Sequence, residues 1–162
     1  MLSNARLFRI LLNFWPCILG TGVRVTHLSN DYRELDVRLP LSFRTRNYVG
    51  TIFGGSIYAS IDPFYMIMFM KILGDGFIVW DKGAAIKFKR PGVRTLYAKL
   101  RVSQELGDEV KKRAIAQGEY TFELPISYRD ETGLEIAEIR KQMYVATKEF
   151  YRAKIAERDA AG

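Results

Sequence analysis

Apolar residues recur along this chain with two periods, and each change of period marks an element. Leu7 to Leu19 is apolar, with Arg6 and Arg9 at its start and Asn13 and Pro16 interrupting it. That pattern predicts an amphipathic N-terminal helix ending near Trp15-Pro16, docked on the domain or its partner. Val23 to Asn30 and Glu34 to Leu39 alternate in the manner of half-buried strands, with Asn30-Asp31-Tyr32-Arg33 as the turn between them and Pro40 as the stop. Arg44 to Gly50 is a polar connection.

From about Gly54 toward Leu73 the period changes to that of a helix. Ile57, Tyr58, Ile61, Phe64, Tyr65, Met68, Phe69 and Ile72 leave little polar face, so this helix belongs in a core. Pro63 removes one of its backbone bonds and predicts a bend immediately after Asp62. Gly74-Asp75-Gly76 ends the helix. Strands follow at Phe77 to Lys89 and Thr95 to Glu105, with Arg90-Pro91-Gly92 as the turn, and then a short charged segment, Gly107 to Gln117, reads as a loop with a helical turn or two. Glu119 to Tyr128 and Leu134 to Thr147 predict a long hairpin around Asp130-Glu131-Thr132-Gly133. The last fifteen residues, charged and Ala-rich, predict a solvated helix or a frayed tail. The expected organisation is therefore an N-terminal amphipathic helix (1–20), one domain (21–147) and a charged C-terminal helix or tail (148–162). A single helix covered by a curved antiparallel sheet satisfies the need of both elements to bury one face, which makes the fold class α+β.

Composition narrows the partners without choosing among them. At 162 residues, 48% hydrophobic and 27% charged, the chain has the material for one packed domain. Its net charge of +7 suits nucleic acid, an acidic membrane, or a phosphorylated small ligand such as coenzyme A. No nucleic-acid motif accompanies the charge, so no nucleic-acid partner is expected. The apolar N-terminal run is too short to span a bilayer, lacks a clean cleavage pattern, and predicts no stable membrane insertion, with surface contact as the lesser reading. One cysteine, Cys17, rules out an internal disulfide framework and fits a cytoplasmic location; with one histidine beside it, no metal site is expected.

The chemistry concentrates in residues 47 to 62. Asn47 and Gly50 lead into Gly54-Gly55, and an apolar helical run follows with one buried-looking carboxylate, Asp62. Glycines opening a helix present unpaired backbone N–H groups at the positive end of its dipole, a place suited to a thioester carbonyl or a developing oxyanion. Asp62 lies seven residues past Gly55, about two turns along the helix. An acid there costs free energy unless something satisfies or uses it.

These residues carry a resemblance to the hotdog fold of acyl-CoA thioesterases, in particular the phenylacetyl-CoA and 4-hydroxybenzoyl-CoA thioesterase-like branch. That branch looks like Asn-x-x-Gly-x-x-His-Gly-Gly, with Asp or Glu seven residues beyond the second glycine. Asn47, Gly50, Gly54, Gly55 and Asp62 stand at the matching positions, and Phe53 stands where the histidine would be. The chain is similar, too, to an uncharacterised thioesterase-like hotdog family with Phe-Gly-Gly. The resemblance implies a curved antiparallel sheet wrapped around a long central helix, here with an extra N-terminal helix. It also implies a homodimer or homotetramer acting on an acyl thioester, with coenzyme A as part of the substrate and no separate cofactor.

By the same resemblance, the Gly54 amide, or that of Gly55, holds the thioester carbonyl. Asp62, from the opposite subunit, acts as general base on water or as nucleophile, and Asn47 orients the water or the thioester. Each has a plainer reading: close helix–sheet packing for the glycines, an acid that caps a helix kink or pairs with a lysine across the dimer for Asp62, and a turn residue for Asn47. Asp81 and Lys82 fall near where related enzymes place a water-orienting hydroxyl, and their plainer reading is an ion pair at the start of a strand. Lys87, Lys89 and Arg90 cluster at a strand end and are candidates for coenzyme A phosphates, or for a solvated edge. The run Met66 to Met70 is core, or else the lining of an acyl tunnel. His27, on an outer strand, is a poor substitute for the missing imidazole. Loss of that imidazole argues against dehydratase chemistry, and thioester hydrolysis on a carboxylate does not require it. The competing function is a noncatalytic hotdog protein that binds an acyl ligand or scaffolds a complex.

Overall fold

A computed structural model describes residues 4–160; the outermost parts of the two terminal segments, residues 1–3 and 161–162, lie outside the described residues. Helix α1 (Asn4–Phe14) stops where Trp15-Pro16 forces it to, and Pro16 then opens the short α2 (Pro16–Thr21). Gly22, at φ 81°, closes α2 in the left-handed region, where a Cβ would lie 2.5 Å from the Thr45 methyl. The strands are β1 (Arg24–Leu28) and β2 (Glu34–Leu39), then β3 (Phe77–Phe88) and β4 (Leu96–Arg101), and finally β5 (Glu119–Asp130) and β6 (Glu135–Thr147). They form one antiparallel sheet in the order β1-β2-β4-β5-β6-β3. This is the α+β hotdog architecture, with β3 left as an edge.

The central helix differs in detail from a single bent rod. It is two helices, α3 (Gly54–Ala59) and α4 (Phe64–Leu73), joined by turns through Ser60, Ile61, Asp62 and Pro63. The proline acts upstream of itself, since its ring opposes the carbonyl four residues back, and Ile61 N and Phe64 N bond instead to the carbonyls of Tyr58 and Ile61. Ser60 is fixed within this break: its hydroxyl donates to the Ile57 carbonyl and meets the buried Tyr128 hydroxyl at 2.6 Å. Phe64, Met68 and Phe69 of α4 are fully buried against Leu96, Leu100, Ile126 and Ile139 of the sheet, which places the core between this helix and the concave face.

Residues 107–117 require a correction. The segment read as a loop with a turn or two is part of a fourteen-residue helix, α5 (Gln104–Gln117), and the preceding strand stops at Arg101. Ser103 caps α5, its hydroxyl accepting from Leu106 N, and Gly107, Val110 and Ala114 make a narrow buried stripe on an otherwise charged helix. The C-terminal segment is helical, as α6 (Lys148–Ala160), with no fully buried residue.

Candidate active site

The loop before α3 is built to present its start. Asn47 Oδ1 accepts from Thr51 N at 2.9 Å, Asn47 Nδ2 donates to Thr51 Oγ1 at 2.8 Å, and Gly50 turns the chain at φ 86°. Asn47 therefore closes the loop with most of its amide. Phe53 N donates to the Thr45 carbonyl, and the Phe53 carbonyl accepts from Ile57 N, so the chain enters α3 with both backbone groups fixed. Phe53, the residue that opens α3, offers its first-turn amides no side-chain cap, and none is made among the described residues. Gly54 lines a cleft of about 520 Å³ together with Asn47, Thr51, Phe88, Lys89 and Arg90. A Cβ on Gly54 would lie 2.8 Å from the Phe88 ring; one on Gly55 would lie 2.3 Å from the ring of Phe53. Each glycine is thus roofed by a half-exposed phenylalanine, and Gly54 is the one that faces the cleft.

Asp62 is elsewhere, and it is not buried. Its side chain is 47% exposed, on the turn between α3 and α4, and Oδ1 accepts from Lys141 Nζ at 2.8 Å. Sequence reading had no candidate in Lys141, and it organises this end of the molecule. It sits on β6 among Ala137, Ile139, Met143 and Val145, with a side chain 0% exposed. Its ammonium reaches Asp81 Oδ2 at 3.1 Å and lies 5.4 Å from the centre of the Tyr58 ring. Burial acts to lower the pKa of this lysine, but the hydrogen bonds and charges of Asp62 and Asp81 outweigh it and hold the group above its ordinary value. Burial raises the Asp81 carboxyl above its ordinary value, with Lys141 opposing the shift.

The structure separates Asp81 from Lys82. A bulge between Asp81 and Gly83 aims Asp81 at Lys141, while Lys82 crosses to the other side and lies 4.3 Å from the Tyr144 ring centre. The ion pair at the strand start is real, but its cation is Lys141 from β6. Lys89 is occupied by two carboxylates, Glu135 at 2.5 Å and Glu138 at 2.8 Å, and Arg90 donates to the Glu135 carbonyl. Lys87 lines a separate hollow with Glu138 and Arg140. Of the three phosphate candidates, Lys89 and Arg90 share the Gly54 cleft and Lys87 does not. Of the methionine run, Met68 is fully buried in the core while Met70 is 52% exposed. His27 stands half-exposed on β1, 3.6 Å from Glu34 and on the strand farthest from β3.

Around the cleft and along β3 the surface is apolar: Tyr48 and Val49 of the loop are strongly exposed, and Phe53, Phe88 and Trp80 are about half-exposed. An unpaired edge strand beside such residues is a surface that a second copy can cover.

An antiparallel sheet clasping a two-part core helix, with glycines at the helix start and an acid at its break, defines the class: a hotdog-fold protein. Residues 4–145 match the family described as a domain of unknown function, DUF4442, and the chain belongs to that family. No curated protein matches. Among solved structures it is similar to PA5026 of Pseudomonas aeruginosa, a protein of unknown function described as a probable thioesterase. The two share 19% identity over 87% of this chain and 94% of that one, with a TM-score of 0.76. It is similar to thioesterase HI1161 of Haemophilus influenzae, at 14% identity over 85% and 87%, TM-score 0.61. The PaaI protein of E. coli, from the phenylacetic acid degradation operon, matches at 18% identity over 85% and 92%, TM-score 0.58. At these identities the likeness establishes the fold.

Proposed function

We propose that this chain is a thioesterase that hydrolyses an acyl-CoA or an acyl-carrier-protein thioester, acting in the cytoplasm as a homodimer or homotetramer. The observation that carries the reading is the placement of uncapped first-turn amides at Gly54 in a cleft, with a half-exposed carboxylate at Asp62 set by a buried lysine. The thioesterases among the structurally similar proteins support it.

The substrate carbonyl oxygen accepts from the Gly54 amide. Water attacks the carbonyl carbon as Asp62 takes its proton, and the charge that develops on oxygen is held by that amide. Collapse breaks the C–S bond, and the thiolate leaves with the proton. Alternatively Asp62 attacks directly and water releases the anhydride. Gly54 opens α3 and Asp62 lies past its far end, beyond six helical residues that rise roughly 9 Å at about 1.5 Å each, which sets the two apart along one chain. In this reading, as the family resemblance implies, the Asp62 of each site comes from the partner subunit. Asn47 holds the loop that presents Gly54, and Arg90 is the cation in the cleft best placed for a coenzyme A phosphate, since Lys89 already faces Glu135 and Glu138.

Two observations favour a noncatalytic acyl-binding protein instead. Phe53 replaces the imidazole, and the Asp62 carboxylate is already engaged by Lys141. Thiol release from short, long and aromatic acyl-CoA esters, with wild type beside Asp62→Asn, decides between them. Turnover that vanishes in the variant supports the thioesterase. No turnover across the panel, with acyl ligands still stabilising the folded protein, supports the binding protein.

A further inference from the structure

Helix α1 has two apolar faces, and the fold uses only one. Ala5 and Leu12 are buried and Phe8 packs edge-on against Tyr32, so this face is docked on the domain. Leu7, Ile10, Leu11 and Phe14 recur at the three- and four-residue spacing of a single helical stripe on the other side. They are exposed, at 47%, 37%, 53% and 70%, and Trp15 follows at 59% at the helix end. Four large apolar side chains exposed along one side of a short helix, with Trp15 just past its end, make an apolar surface of the kind that marks a contact.

Charge says which contact. The first thirty residues carry Arg6, Arg9 and Arg24 and no acidic residue, so α1, α2 and β1 together are purely basic. Among the described residues the Arg9 and Arg24 side chains donate to the carbonyls of Thr26 and Asn13, and neither forms an ion pair. At the helical spacing, Arg6 and Arg9 fall on the flank between the docked and the exposed stripes. If a second copy packed symmetrically on this stripe, it would bring like charges together with no carboxylate of these elements between them. A surface of negatively charged lipid headgroups offers both an apolar layer for the stripe and anions for the arginines.

We infer that the outward face of α1 docks the folded protein on an anionic membrane surface, with Leu11, Phe14 and Trp15 entering the headgroup boundary. The chain lies on the bilayer and does not cross it. Gly54–Leu73 is the one described segment long and apolar enough to do so, and it is the core helix beneath the sheet. The inference is independent of the proposed hydrolysis, although a thioesterase so placed would meet acyl chains where they partition.

The full-length protein is sedimented with vesicles of phosphatidylcholine alone and with vesicles containing phosphatidylglycerol, and Trp15 emission is followed in a Trp80→Phe background. Binding to the anionic vesicles, weakened by salt, with a blue shift of Trp15, is the expected result. Leu11→Ser/Phe14→Ser should weaken it by about tenfold or more while leaving the melting profile and oligomeric state unchanged. Three results would overturn the inference: no preference for the anionic vesicles, binding indifferent to the double substitution, or a double substitution that breaks the oligomer. The last would assign the stripe to a contact between copies.

Discussion

Lys141 Nζ lies 2.8 Å from Asp62 Oδ1, joining a fully buried strand residue to a half-exposed turn residue 79 positions away in sequence. The pair fixes the carboxylate from behind and leaves its outer side to solvent. A carboxylate held in this way loses little freedom when a ligand binds against it, which is what preorganises Asp62 for the base role proposed above. The same pair makes two substitutions at this point behave differently.

Asp62→Asn keeps the shape of the turn and leaves Lys141 its Asp81 partner. The variant should fold and assemble as wild type and lose about 100-fold or more in kcat on any acyl-CoA that wild type hydrolyses, the usual scale for a general base. A rate within a factor of about two of wild type would remove Asp62 from the mechanism. Lys141→Met, in contrast, leaves Asp81 without its cation at a side chain only 19% exposed. Breaking a buried pair from one side typically costs about 3–5 kcal/mol, so a large fall in melting temperature is expected. Lys141→Met/Asp81→Asn should recover part of that loss, because the stranded charge goes with it. Equal destabilisation in the single and double variants would mean that packing of the lysine stem, not its charge, is what matters.

The raised pKa of Lys141 fixes the sign of a pH effect. A proton held more tightly in the folded state contributes stability that is complete below the unfolded value of 10.5 and is lost as pH rises through the folded one. Buried Tyr128, also raised, adds to the loss in the same direction. Melting temperature should therefore fall from pH 9 toward pH 11, and fall less steeply in Lys141→Met. Asp81, raised above 3.8, acts with the same sign at acid pH: its contribution is complete below 3.8 and is lost as pH rises through the higher folded value. Thermal melts of both proteins across the alkaline range test the difference, and parallel curves would refute it.

Gly54→Ala separates position from packing. Its Cβ would meet the tip of Phe88, a ring 56% exposed and free to swing away, so the fold should tolerate it at a cost of about 1 kcal/mol or less. A methyl in the cleft beside the amide proposed to hold the oxyanion should nevertheless lower kcat by about tenfold or more. If activity and stability fall in proportion, the glycine serves helix–sheet packing alone.

Much of this was legible in the sequence because it is local. Alternation gave β1, β2, the β3 strand and the β5–β6 hairpin, and Pro63 located the helix break to within a few residues. Helix α5 was hidden because its charged composition outweighed a stripe of only Gly107, Val110 and Ala114, although Ser103 is a recognisable cap. Lys141 left a fainter trace: it occupies the inward parity of β6, in step with Ile139 and Met143, where a lysine can stay only if paired. Parity could have flagged it. Nothing local could have named Asp62 and Asp81 as its partners, since both lie more than fifty residues away and are brought in by the sheet.

The shared-site arrangement makes a claim that no single variant can test. If Gly54 of one subunit works with Asp62 of the other, a heterodimer of Gly54→Ala and Asp62→Asn chains contains one site with both defects and one with neither. Separately purified, the Asp62→Asn chain should keep about a hundredth of wild-type activity or less and the Gly54→Ala chain about a tenth or less. Unfolded together and refolded at equal ratio, half of the dimers should be mixed and half of their sites intact, so about a quarter of wild-type activity should return. Should each site draw both residues from one chain, every site in the mixture carries a defect and mixing restores nothing. Size-exclusion chromatography of the refolded mixture confirms that dimers formed, so that silence in the assay counts against the arrangement and not against the refolding.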